Sequence, residues 1–151
     1  MIYIIDEDYN QMQAWLFELL LSNLEYKYLP DADAALRNIT ILDSKDILVV
    51  DVMLAVDANE ARSSFSRDLT DDYKTTGLAF LKKMFDQYPE FPKSRVLLVS
   101  QASVPRTIER IKAFSTQYGV WFKPKGDYGS VREFAEDIVN MMNDEGEGEA
   151  R

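Results

Sequence analysis

Neither cysteine nor histidine occurs among the 151 residues of the chain. Without cysteine there is no disulfide framework and no thiolate nucleophile, and without histidine the commonest metal ligand and general base is missing. Any chemistry must therefore rest on carboxylates, hydroxyls, lysine and arginine. Positive charge is also scarce. The 17 Lys and Arg stand against 26 Asp and Glu, a net charge of −9, and no basic run compensates locally. Such a surface repels phosphate backbones and anionic lipid, so neither nucleic acid nor a membrane is expected as a direct partner. Long apolar runs are missing as well. The longest, within AWLFELLL (residues 14–21), is too short to span a bilayer, and the opening MIYIIDEDYN carries acids where a signal peptide needs a basic region. A soluble, cytoplasmic protein is the expectation. No G-x-G-x-x-G or P-loop occurs, which leaves nucleotide enzymes unsupported.

What is present is enough apolar sequence, 46% of the chain, to build the core of one domain. IYII (residues 2–5) reads as a strand, and residues 8–24 follow with Met12, Trp15, Leu16, Leu19 and Leu20 at helical spacing. EYKYLP and DADAALRNITIL repeat the pattern. ILVV (residues 47–50) leads, after a long gap, to the helical GLAFLKKMFDQY. RVLLVS (residues 95–100) precedes VPRTIERIKAFSTQYG, where Pro105 suits a first helical turn, and VWFKP precedes SVREFAEDIVNMM. Five strand–helix units predict an α/β protein with a five-stranded parallel sheet covered on both faces, which is why ILVV and VLLV are apolar throughout.

In such sheets ligands bind beyond the carboxyl ends of the strands. There the sequence places Asp6 and Glu7 after the first strand, Asp51 after the third, Ser100 after the fourth, and Lys123 with Pro124 on the fifth. If the first and third strands are neighbours, three carboxylates converge, and they repel one another unless a cation or proton sits among them. Hard oxygen ligands without His or Cys suit Mg²⁺. Each residue also has a plainer reading: Asp6, Glu7 and Asp8 as caps of the first helix, Asp51 as a turn acid, Ser100 as a cap and Lys123 as a surface lysine.

This ordered set resembles the receiver domain of two-component response regulators over residues 1–143, a flavodoxin-like, doubly wound (βα)5 fold of strand order 2-1-3-4-5. The resemblance implies Mg²⁺ on Asp6, Glu7, Asp51 and the backbone carbonyl of Met53. It implies phosphorylation of Asp51 by a histidine kinase or phosphotransfer protein, with Ser100 sensing the group and Lys123 binding it. Such a domain is not an enzyme beyond its own phosphoryl transfer and slow autodephosphorylation. It acts on an output domain or a separate target, and a homodimer is possible. The alternative is a degenerate receiver, a phosphorylation-independent interaction module. The sequence departs from the family pattern at Gln101, where a small residue is usual, and at Val120, where an aromatic usually stands three before the lysine. Met53 and Ala102 offer no polar side chain to orient an attacking water. A flavodoxin-like cofactor site is opposed by three acids where a phosphate-cradling loop is needed, and a phosphohydrolase by Met53 where a second acid is needed. Residues 55–75 form an insertion after the third strand, expected to be a solvated, mobile excursion with one helical turn through DANEARSSF. Residues 144–151 are expected to be a disordered acidic tail or linker stub.

Overall fold

The computed structural model describes residues 1–144. The strands are β1 (Ile2–Ile5), β2 (Tyr26–Leu29), β3 (Ile47–Asp51), β4 (Val96–Ser100) and β5 (Trp121–Pro124). The helices are α1 (Tyr9–Leu21), α2 (Ala32–Asn38), α3 (Thr76–Gln87), α4 (Pro105–Tyr118) and α5 (Val131–Asn143). All strand pairs are parallel, in the order β2-β1-β3-β4-β5. β1 and β3 are therefore neighbours, with Ile5 beside Val50, and the acids that follow them fall at one edge of the sheet.

Alternation along the strands sorts the core into two layers. Ile4, Val49, Leu97 and Val99 face Met12, Leu16 and Leu19 of α1 and Phe134 and Ile138 of α5. Ile5, Leu48, Val50 and Leu98 face Phe80, Leu81 and Met84 of α3 and Ile111 and Phe114 of α4. Helix starts follow the cap chemistry. Asp8 accepts from the Gln11 N–H at 3.0 Å, Asp31 from Ala34 at 2.7 Å and Ser130 from Glu133 at 3.4 Å. Pro105 opens α4, and Gly119, at φ 73°, closes it in the left-handed conformation. α2 is shorter than its sequence pattern. It stops at Asn38, before the β-branched run Ile39-Thr40-Ile41, and Ile39 turns into the core at 1% exposure. No helix among the described residues is long and apolar enough to cross a membrane. Of the tail expected over residues 144–151, all but Asp144 lies outside the described residues.

The insertion is mostly exposed, as expected of a solvated excursion, yet it is anchored to the core at several points. The expected helical turn is present as a 3-10 turn at Glu60–Arg62, but the segment is bound down along its length. Phe65 is buried in the α2–α4 layer at 1% exposure. The Asp33 carboxylate, buried in α2, accepts from the Asp57 N–H at 2.8 Å, the Ser64 N–H at 2.8 Å and the Ser63 hydroxyl at 2.7 Å. Further on, Thr70 is fully buried, Asp71 pairs with Arg110 of α4 at 2.9 Å, and Asp71, Asp72 and Tyr73 make a left-handed turn at φ 50°, 56° and 65°. The segment is a strap from α2 to α4. Its single deep aromatic was too little apolar sequence to reveal an anchored element.

Where the strap rejoins α3, Gly77 rests directly on the end of β3, its N–H donating to the Val52 carbonyl at 2.9 Å. A Cβ there would stand 2.2 Å from the Asp51 carbonyl oxygen and 2.9 Å from the Val52 Cα, both rigid backbone. Gly77→Ala is therefore expected to push α3 off β3 and to lower stability by about 3 kcal/mol, read as a reduced urea midpoint.

Candidate functional site

The C-terminal ends of β1 and β3 bring Asp6 and Asp51 together, at 1% and 7% exposure. Asp6 accepts from the Asp8 N–H at 2.9 Å and Asp51 from the Met53 N–H at 3.2 Å, each through Oδ1. Their second oxygens converge on one ammonium, and it belongs to Lys125. Its Nζ lies 2.7 Å from Asp6 Oδ2 and 3.6 Å from Asp51 Oδ2, with the Lys125 side chain 5% exposed. The third contact of Nζ is the carboxamide oxygen of Gln11, at 3.3 Å.

Lys123, the lysine expected here, is elsewhere. Its side chain leaves the sheet toward α5, where Nζ stands 3.4 Å from Asp137 and 4.1 Å from the centre of the Tyr128 ring. The correction has a geometric cause. In β5 the side chain of Lys123 joins the layer of α1 and α5, while the 3-10 turn Lys125–Asp127 carries the next lysine past the sheet edge and back over it. Counted from Lys125, the residue three before is Phe122, an aromatic packed against the α2–α4 core, so the aromatic missing at Val120 is present in this register. Val120 is itself a core residue, 5% exposed.

Burial pushes the Asp51 carboxyl up to about 6; the Lys125 ammonium opposes the rise, while the charges of Asp6 and Glu7 add to it. Glu7 stands at the surface beside the pair. Partial desolvation and then the Asp6 charge raise its carboxyl above the ordinary range. Among the described residues no three acids are gathered as a ready-made metal cage. Ser100 ends β4 one residue past the level of Asp51, buried at 2% exposure, its Oγ accepting from the Ala102 N–H at 2.9 Å. The Met53 side chain is exposed. Behind Asp6, the Tyr28 hydroxyl donates to its backbone carbonyl, and burial followed by the nearby acids lifts that phenol to about 12.

No family model matches the sequence, and no curated protein matches it. Solved structures do. A CheY-like response regulator receiver domain protein from Methanospirillum hungatei JF-1 superposes with a TM-score of 0.64 at 16% identity, over 93% of this chain and 91% of that one. The fold is that of a receiver domain. A signal receiver domain of a signal transduction histidine kinase from Syntrophus aciditrophicus aligns over 99% of this chain and 95% of its own, with a TM-score of 0.67 and 15% identity. NtrX from Brucella abortus matches 93% of this chain with 27% of its own length, at 20% identity and a TM-score of 0.61. Identities this low establish the receiver fold alone.

Proposed function

We propose that this receiver fold is a phosphoacceptor: Asp51 takes a phosphoryl group from a phosphohistidine of a histidine kinase or phosphotransfer protein. The observation that carries the reading is the Lys125 ammonium lodged between Asp6 and the buried Asp51. An Asp51 Oδ attacks phosphorus in line with the scissile P–N bond. That bond breaks, its electron pair leaves with the imidazole nitrogen of the donor, and an acyl phosphate forms. Lys125 meets the negative charge on the equatorial oxygens, and the Ser100 hydroxyl hydrogen is free to turn toward one of them. Asp6, Glu7, Asp51 and the Met53 carbonyl are the groups proposed to hold Mg²⁺. Their hard oxygens suit it, and three carboxylates against one ammonium leave negative charge that a divalent ion neutralises. When bound, Mg²⁺ supplies further charge stabilisation to the transferring group.

The switched output is proposed to be another domain of a longer chain, a separate target or a second copy. The alternative is a phosphorylation-independent interaction module. Acetyl phosphate with Mg²⁺ decides between them by intact mass. One added phosphoryl group in the wild type and none in Asp51→Asn is the expected result; a wild type that gains none is the interaction module. The same variant reports the burial of the carboxylate. Because the folded-state value of Asp51 is raised above its unfolded one, stability falls as pH climbs from about 4 to 6. Asp51→Asn, in metal-free buffer at neutral pH, should therefore melt higher, by at most about 3 kcal/mol.

A further inference from the structure

The Lys125 ammonium donates to Asp6 and Gln11 and lies within ion-pair distance of Asp51 at 3.6 Å, so two of its three neighbours are the carboxylates of the proposed acceptor site. The third has no part in that chemistry. Gln11 sits in the first turn of α1, half-buried, with its own N–H tied to the Asp8 cap at 3.0 Å and its carboxamide oxygen 3.3 Å from the Lys125 Nζ. The two carboxylates draw the ammonium unequally, at 2.7 Å from Asp6 and 3.6 Å from Asp51, and nothing in that pair fixes the direction of the lysine stem. A neutral acceptor on a rigid helix changes that balance. It fixes the direction of the lysine stem without adding negative charge to a site already crowded with it, and it gives a second N–H of the buried ammonium a hydrogen-bond partner.

We propose that Gln11 is a positioning residue: its carboxamide oxygen holds the Lys125 ammonium where it faces both Asp6 and Asp51, ready for the incoming phosphoryl oxygens. The role rests on the phosphoacceptor reading, and two properties of Gln11 fit it. Its side chain needs the reach of glutamine, because asparagine at the same backbone position falls one methylene short. Its backbone is fixed independently by the α1 cap, so replacing the side chain leaves the helix start intact.

The test compares Gln11→Met, which keeps volume and loses the acceptor, with Gln11→Glu, which keeps an acceptor oxygen at the same reach. Labelling of Asp51 by acetyl phosphate with Mg²⁺ is followed by intact mass at saturating donor, and the Lys125 ammonium by its ¹⁵N resonance. Gln11→Met should label about 5- to 10-fold more slowly, roughly the loss of one hydrogen bond to a charged group, with the ammonium resonance broadened or lost and the melting temperature nearly unchanged. Gln11→Glu should keep the resonance and label faster than Gln11→Met. Wild-type labelling with an unchanged rate in Gln11→Met, or an unchanged ammonium resonance in that variant, overturns the positioning role alone. A wild type that takes no phosphoryl group overturns the phosphoacceptor reading and this role with it.

Discussion

Lys125→Met should slow the labelling of Asp51 by acetyl phosphate by about 100-fold, the usual loss when one preorganised donor to a developing charge is removed. Lys123→Met should change it by less than about threefold. The contrast follows from where the two ammonium groups lie. Lys125 is buried against the acceptor, within 3.6 Å of Asp51 and 2.7 Å of Asp6. Lys123 is half-exposed, 3.4 Å from Asp137 and over the Tyr128 ring, against α5 and away from the two acids at the strand ends. Stability should divide the same way. Taking Lys125 away leaves two buried carboxylates without their counter-charge, a loss of about 3 kcal/mol or more. Taking Lys123 away removes a half-exposed ion pair and a ring contact, about 1 kcal/mol. Rates are compared at a temperature where circular dichroism shows both variants folded. A slow Lys123→Met beside a normal Lys125→Met would reverse the assignment of the site lysine.

Asp33→Ala should release the strap. The carboxylate gathers two backbone N–H groups and one hydroxyl from residues 57–64, and its loss leaves those donors without a partner beneath the segment that carries Phe65. A cost of about 3 kcal/mol is expected, against about 1 kcal/mol for Ser63→Ala, which removes one of the three donors. Proteolysis and amide exchange over residues 57–73 should rise far more than in the sheet, because Phe65 is then its main deep anchor and its ion pair to α4 lies at the surface. Burial alone would raise the Asp33 carboxyl, but the hydrogen bonds from Ser64, Asp57 and Ser63, with Arg37 nearby, hold it below the ordinary range. Its folded-state value is thus lower than its unfolded one. The stabilisation is complete above the ordinary carboxylate value of 3.8 and is lost as pH falls through the lower, folded-state one. Acidification should accordingly unlock the wild-type strap and leave Asp33→Ala, already loose, unchanged. An Asp33→Ala protein with wild-type protease resistance would refute the anchoring.

The sheet was legible in the sequence because buried parallel strands have a plain signature. ILVV and VLLV are apolar on both faces, and each ends in a polar residue at the edge where ligands bind. Asp6 and Asp51 followed from that pattern, and the structure brings them together. The lysine did not follow. Lys123 and Lys125 flank Pro124 two residues apart, so alternation along a strand gives them the same parity, and only the turn after β5 separates them. Gln11 was invisible for a related reason, since a glutamine in a first helical turn reads as a surface residue until its partner arrives from the far end of the chain. The strap was misjudged because its anchor is polar. Three hydrogen bonds to Asp33, from residues 24 to 31 positions away, leave no trace in hydropathy.

Asp6 and Lys125 are 119 residues apart in the chain, and among the described residues the strand that delivers the lysine pairs with β4 alone. As the polypeptide leaves the ribosome, the acids of the first and third strands emerge long before their counter-ion, and contacts of such separation form late in folding. A nascent or truncated chain ending after β4 thus holds the carboxylates without the ammonium that steadies them. On the proposed phosphoacceptor reading, competence to accept the group is acquired only by the finished domain, once the turn after β5 has placed Lys125.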